Sequence, residues 1–220
     1  MMRLSYRFVS WVLRWALQVV YRLEVVGLEQ IPRDRSLVLA SNHQSNLDPP
    51  LIGCFFPREV SFVAKKQLFD NPWLARLMRH FNAIPLDRSG VDLSAIRLIR
   101  ARLAEGSNVL VFPEGTRSRD GRLGKPRAGL GLIVSAAEVD VLPVLILGSR
   151  RSPGLPGFRP LVRVEFGAVI PRSALPLQGE AEEGEARGRS GRAEAITRVV
   201  FERIQAMHLA AGTDPTASPS

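Results

Sequence analysis

The stretch Leu37-Val38-Leu39-Ala40-Ser41-Asn42-His43-Gln44-Ser45-Asn46-Leu47-Asp48-Pro49 decides how this chain is read. Four consecutive apolar residues suffice for a buried strand, and the polar run after them stops it abruptly. The same grammar recurs downstream. Residues 60–64, 83–86, 109–112 and 141–147 read as further strands, the last a continuous apolar run. Residues 71–80, 93–104 (with Gly106 as the stop) and 129–137 read as helices between them. Residues 162–166 alternate in polarity, as a strand near a sheet edge does. Strands alternating with helices predict a single α/β domain with a largely parallel or mixed central sheet flanked by helices.

Outward from that core, residues 1–23 read as one helix. Arg3, Arg7, Arg14, Gln18 and Arg22 project to one face, while Phe8, Val12, Trp15 and Val19 help fill the rest. No apolar run approaches the roughly 18–20 residues a membrane span needs. Arginines interrupt the segment and no small-residue cleavage site follows, which argues against a secretory signal. The pattern fits a basic amphipathic helix lying in a lipid interface. Packing on its own domain is the alternative, because core-facing helices are amphipathic too. At the other end, residues 178–192 lack apolar periodicity and read as a mobile loop. Residues 193–211 read as an amphipathic helix and 212–220 as a disordered tail. The α/β domain then spans residues 24–177.

The 220 residues are 45% hydrophobic and carry a net charge of +9. That composition belongs to a folded domain, and the charge suits a polyanion such as an anionic lipid surface, a phosphorylated substrate or a nucleic acid. Lysine occurs only at Lys65, Lys66 and Lys125, so arginine carries the excess. The mean hydropathy of +0.03 is high for a soluble domain and hints at a membrane-facing surface. Cys54 is the only cysteine, in an apolar run, and reads as a small buried residue. One thiol and three scattered histidines offer no metal site.

Four polar clusters follow strands, where open α/β sheets gather their sites. In the first, a histidine and a carboxylate five residues apart, His43 and Asp48, form a base pair if the loop turns into a helix. The carboxylate would hold one ring nitrogen protonated and leave the other to accept a proton. An ordinary loop with Asp48 as a helix cap explains the residues equally, and the motif alone leaves both open. In the second, Phe112-Pro113-Glu114-Gly115-Thr116-Arg117-Ser118 brings a hydroxyl and a guanidinium to a strand end, where arginine forks onto a phosphate. The third is Ile84-Pro85-Leu86-Asp87-Arg88, and the fourth, Val141-Leu142-Pro143-Val144, supplies only an apolar wall. Lys65 adds positive charge to the same edge. No G-x-S-x-G elbow is present, so a serine acyl-enzyme is not indicated, and neither is a nucleotide phosphate loop or a dinucleotide fingerprint.

In order and spacing the four clusters resemble the glycerophospholipid acyltransferase family, in particular the bacterial lysophosphatidic acid acyltransferases. The resemblance runs from about Leu37 to Ser149 and rests on N-H-x4-D, I-P-x-D-R, F-P-E-G-T-R-S and V-x-P-V taken as a set; residues 62–69 also match a family segment. It implies His43 as general base with Asp48 orienting it. Arg88 and Arg117 would bind the acceptor phosphate at a site shaped by Glu114, Gly115 and Thr116. Asn42 and Lys65 would be accessory, and Pro143 would line the acyl-donor pocket. It further implies no metal and no cofactor, with acyl-CoA or acyl-carrier protein as thioester co-substrate and a lysophospholipid as acceptor. The location it implies is an anionic membrane surface, on the cytoplasmic face of the cell membrane as a peripheral or monotopic protein, with no nucleic acid partner. Glycerol 3-phosphate, another lysophospholipid or a lyso-aminolipid are alternative acceptors. A non-catalytic basic membrane- or nucleic-acid-binding module is the rival from another class, and it leaves His43, Asp48 and Glu114 without a purpose. Two departures stand out: Asn82 replaces the glycine usual before the second motif, implying a different turn, and Lys125-Pro126-Arg127-Ala128-Gly129 replaces the usual Phe-Lys-x-Gly.

Overall fold

The computed structural model describes residues 2–86, 93–155, 158–177 and 185–213. Seven strands form one sheet: β1 (Arg22–Val26), β2 (Leu37–Ser41), β3 (Val60–Lys65), β4 (Ala83–Leu86), β5 (Asn108–Val111), β6 (Asp140–Leu147) and β7 (Leu161–Phe166). Their spatial order is β1-β7-β6-β2-β5-β3-β4. Every pairing is parallel except β6 with β7, so the sheet is mixed and mostly parallel. Strands β2 and β5 are buried throughout, with helices over both faces, which is why they appear as unbroken apolar runs. Strand β7 alternates because only one of its faces is fully covered.

Helices α1 (Leu4–Val20) and α2 (Asp48–Phe55) lie over one face of the sheet. Leu17, Tyr21, Leu51, Ile52 and Phe56 pack there against Leu39, Leu110 and Val144. Helix α3 (Pro72–His80) lies beside β4 at one edge. Helices α4 (Leu93–Ala104), α5 (Gly129–Ala137) and α6 (Glu185–Thr213) cover the opposite face. Ile99, Leu130, Val134, Ile196, Val200 and Ile204 meet Val38, Val109 and Val141 there. Gly131 of α5 packs so tightly on α6 that a Cβ would sit 1.8 Å from the Ala193 carbonyl oxygen. At that crossing the Gly131 N–H donates to Thr197 Oγ1 at 2.9 Å.

Several expectations need correction. The first helix ends at Val20, and Arg22 and Leu23 belong to β1, a strand hidden because its residues continue the preceding polar–apolar mixture. Residues 48–55, given no element from the sequence, form α2, so the loop after β2 does turn into a helix. Strand β5 starts and ends one residue earlier than the apolar run suggests. Residues 185–192, read as part of a mobile loop, are the first turns of α6. Their one alanine, three arginines and glutamate carry good helix propensity, enough to extend the helix through Gly188 and Gly191 although they offer no apolar stripe. Residues 178–184 and 214–220 lie outside the described residues, as do Asp87 and Arg88. Asn82 adopts φ +56°, so asparagine, better suited than most residues to the left-handed region, supplies the backbone that glycine would give.

The face of α1 turned from the sheet is apolar. Leu4, Phe8, Trp11, Val12, Trp15 and Val19 are exposed there, while Tyr6, Ser10 and Leu17 are buried on the opposite side. Two arginines reach the body, Arg3 pairing with Glu59 at 3.0 Å and Arg14 donating to the Cys54 carbonyl, while Arg7 is exposed. No helix among the described residues is long and apolar enough to cross a membrane.

Candidate active site

Strands β2 and β5 run parallel as direct neighbours, so the loops after their C-terminal ends meet. Asn42 fixes the first loop at its root. Its Nδ2 donates to the Ile146 carbonyl at 2.9 Å and its Oδ1 accepts the Ile146 N–H at 2.8 Å, so a side chain continues the β2–β6 ladder. The chain then turns through Gln44 and Ser45 into α2, where Pro49 and Pro50 fall in the first turn and forfeit no hydrogen bond.

Asp48 is fully buried, and its Oδ2 lies 2.8 Å from His43 Nδ1. The same oxygen accepts the N–H groups of Gln44 at 2.6 Å and Ser45 at 2.8 Å. The carboxylate therefore orders the His43 loop, and α2 has no side-chain cap bond. With Nδ1 donating to Asp48, Nε2 is the ring atom left to accept a proton. Phe112 stacks on the imidazole with centroids 3.9 Å apart and planes 16° off parallel.

Glu114 secures the second loop to the first. Its Oε1 accepts the His43 N–H at 3.0 Å and its Oε2 the Gly124 N–H at 2.8 Å. Burial pushes its carboxyl above the ordinary value, opposed by those two N–H groups. The Ser118 N–H donates to the His43 carbonyl at 2.8 Å and completes the link. Gly115 turns at φ +67°, and its N–H donates to the Phe112 carbonyl at 3.0 Å.

A cavity of about 1060 Å³ opens beside His43. Thr116, Arg117, Ser118, Arg119 and Arg150 stand on its polar side. Apart from Gln44 and Asn46 the rest is mostly apolar, drawn largely from α1, α2, β3 and α3, among them Leu13, Val60, Phe62, Leu74 and Met78. Gly53, Cys54 and Tyr6 line it too, and burial pushes the Cys54 thiol and the Tyr6 phenol up to about 12. Both are neutral wall atoms at any physiological pH.

Of the residues singled out in the sequence, His43, Thr116 and Arg117 line this cavity. Asp48, Asn42 and Glu114 stand behind them, and Gly115 shapes the turn. Pro143 does not line it: the residue is buried in β6 beside Gly167, toward α6, so it belongs to the core. Lys65 ends β3 at the same sheet edge. Lys125 is exposed. Sequence reasoning passed over Gln44, whose amide donates to the Gly121 carbonyl at 3.1 Å, along with Phe112, Arg119, Arg150 and the cavity wall from α1. Only the arginines carried a signal, in the shared positive charge of Arg117-Ser118-Arg119 and Arg150-Arg151. No group of histidine, cysteine and carboxylate side chains suited to a metal exists among the described residues.

A histidine–carboxylate pair at the C-terminal ends of parallel strands, facing a cavity lined by apolar residues and arginines, is suited to general-base chemistry on a hydroxyl group. The model of the Acyltransferase family matches residues 22–147, and the chain belongs to that family. It is 37% identical over 142 residues to a 1-acyl-sn-glycerol-3-phosphate acyltransferase of Pseudomonas aeruginosa, covering 63% of this chain and 53% of that protein. A chloroplastic 1-acyl-sn-glycerol-3-phosphate acyltransferase of Arabidopsis thaliana is 34% identical over 134 residues, 59% of this chain and 37% of its own length. The Bacillus subtilis 1-acyl-sn-glycerol-3-phosphate acyltransferase is 31% identical over 116 residues, 52% and 58% respectively. The crystal structure of the 1-acyl-sn-glycerophosphate (LPA) acyltransferase from Thermotoga maritima matches with a TM-score of 0.65 and 27% identity, covering 90% of this chain and 79% of that one. The chain spans between 37% and 58% of the length of these three curated relatives.

Proposed function

We propose that this chain moves a fatty acyl group from an acyl thioester, acyl-CoA or acyl-carrier protein, to the sn-2 hydroxyl of lysophosphatidic acid, giving phosphatidic acid. The observation that carries this reading is the His43–Asp48 pair at 2.8 Å beside a cavity with an arginine side and an apolar side. An acceptor with a phosphate next to its hydroxyl, and a donor with a long hydrocarbon chain, need those two surfaces and the base between them.

In this mechanism His43 Nε2 takes the hydroxyl proton as the oxygen attacks the thioester carbonyl, while Asp48 stabilises the imidazolium that forms. A carbon–oxygen bond forms and a tetrahedral oxyanion results. Its collapse breaks the carbon–sulfur bond, and the departing thiolate takes the proton back from His43. Arg117 holds the acceptor phosphate with its planar fork. Arg88, matching the family's second motif, is proposed beside it. No metal or prosthetic group enters any step.

The exposed apolar face of α1 supports work at the cytoplasmic membrane surface, where lipid acceptor and lipid product need never enter water completely. The test incubates purified protein with lysophosphatidic acid and a labelled acyl thioester, beside His43→Ala, and follows phosphatidic acid by mass spectrometry. Wild-type product with a loss of about 10²–10⁴ in His43→Ala supports the reading. Near wild-type turnover in His43→Ala overturns the base. Acylation of a different lysolipid alone keeps the mechanism and moves the acceptor.

A further inference from the structure

Between β6 and β7 lies a connection, residues 149–160, whose described part is 149–155 and 158–160. It carries Arg150, Arg151 and Arg159 and no acidic residue. Leu155 and Phe158 are 79% and 89% exposed, among the most exposed large apolar side chains in the protein. The Phe158 N–H donates to the Leu155 carbonyl at 2.9 Å, which brings these two residues together.

This loop is tied to the end of α1. The Gly154 N–H donates to the Val20 carbonyl at 3.1 Å, and Arg159 Nη1 donates to the Gln18 carbonyl at 2.6 Å. The buried Tyr21 donates its hydroxyl to the Arg151 carbonyl at 3.0 Å, and the Arg22 N–H reaches the Pro160 carbonyl at 3.0 Å. Two of the ties fall on Gln18 and Val20, either side of Val19, the last member of the exposed apolar stripe that includes Trp11 and Trp15. The loop is thus braced against the end of the helix that carries the stripe. Arg150, on the same loop, lines the cavity.

We propose that this loop is a second bilayer contact, inserting Leu155 and Phe158 into an anionic lipid surface while Arg151 and Arg159 meet its headgroup phosphates. Bulky apolar tips bracketed by arginine fit the boundary between acyl chains and charged headgroups. An acidic protein partner would account for the arginines but not for two apolar side chains left this exposed beside another apolar face. The contact adds to α1 a fixed orientation. The stripe alone sets which face of the helix meets the membrane, and a second, braced contact holds the tilt of the body more firmly. Because Arg150 joins the inserted element to the cavity, the contact would bring the cavity near headgroup level, where the acceptor phosphate lies. This inference rests on the membrane reading proposed above.

The test uses the full chain and two vesicle types, phosphatidylcholine alone and phosphatidylcholine with phosphatidylglycerol. A Leu155→Cys variant is labelled with nitrobenzoxadiazole, a probe whose emission moves to the blue on leaving water. The native Cys54 is buried and its thiol is pushed up to about 12, so labelling selects the new site. The expected result is a blue shift with vesicles, larger on the anionic ones. The unlabelled double variant Leu155→Ser/Phe158→Ser should lose about tenfold or more in co-sedimentation. Sedimentation of the labelled protein with an unchanged spectrum overturns the loop assignment and leaves the membrane reading standing. A spectral shift with acyl-carrier protein but not with vesicles also overturns it. Absence of sedimentation by the wild type overturns the membrane reading and this inference together.

Discussion

Glu114 Oε1 accepts the backbone N–H of His43 at 3.0 Å, so the proposed base is held from two sides by two carboxylates. Asp48 holds the ring and Glu114 holds the main chain. The division matters because a base that abstracts a proton must be placed to within fractions of an ångström, and neither hold alone fixes both the loop and the ring.

Asp48→Asn separates the charge from the bonds. An asparagine oxygen at the Oδ2 position keeps all three donors, from His43 Nδ1 and the N–H groups of Gln44 and Ser45. Its amide nitrogen then falls where Oδ1 is buried without a hydrogen-bond partner among the described residues. The unpaired donor should cost about 1–3 kcal/mol of stability. Turnover should fall by about 10²-fold or more, because no negative charge stabilises the imidazolium. Steady-state kinetics beside a thermal melt distinguishes the two losses; retained turnover would remove Asp48 from the proposed mechanism.

Glu114→Gln tests the second hold through pH. Burial lifts the Glu114 carboxyl above its ordinary value, so the folded chain favours its protonated form. The stability it contributes is complete below the ordinary carboxyl value of about 4.3 and is lost as pH rises through the raised folded value. Glutamine does not ionise, and it loses one of two acceptors at every pH. The stability of the wild type relative to Glu114→Gln should therefore decline as pH rises across that window. Denaturant midpoints at a series of pH values read it directly. A wild-type advantage that grows with pH would mean the two N–H bonds outweigh burial.

How far the sequence could be read follows from the separation of the residues involved. His43 and Asp48 are five positions apart, and one turn joins them, so their pairing was visible as one of two open readings. Glu114 acts 71 residues away, and its hold on a backbone N–H appears only once β2 and β5 are known to be neighbours. Tyr6 and Leu13 enter the cavity wall because α1 packs against α2, which no motif announces. Strands β2, β5 and β6 were legible because both faces are buried and their apolar runs are unbroken. Strand β1 was not, since Arg22-Leu23-Glu24 offers neither a run nor a clean alternation. Pro143 was assigned to the cavity by its motif, but its side chain faces the α6 layer beside Gly167 and Met207.

Gly131→Ala probes the packing of α5 on α6. A Cβ there would lie 1.8 Å from the Ala193 carbonyl oxygen, and backbone on a packed helix does not yield cheaply. The helices must separate, straining the bond from the Gly131 N–H to Thr197 Oγ1. Overpacking of this kind costs about 1–3 kcal/mol, which chemical denaturation resolves. Gly129→Ala, two residues earlier, meets nothing within 4 Å and should be neutral or mildly stabilising.

The apolar side of the cavity includes a narrow place where Gly53 of α2 faces Tyr6 of α1. A Cβ on Gly53 would lie 3.5 Å from the Tyr6 hydroxyl, an ordinary contact, so Gly53→Ala should fold and act as wild type. The Tyr6 ring cannot retreat: it is 2% exposed, and its oxygen accepts the Val60 N–H at 3.4 Å. A larger side chain at Gly53 must therefore occupy cavity space rather than displace its neighbour. Gly53→Leu should shift the preferred acyl donor toward shorter chains. Each methylene that no longer finds room costs about 0.8 kcal/mol, or roughly fourfold in kcat/KM. A competition among thioesters of graded length, with products resolved by mass spectrometry, measures the shift. A uniform loss at every length would show that Gly53 lies off the path of the acyl chain, whereas a graded loss would place the chain terminus between α1 and α2.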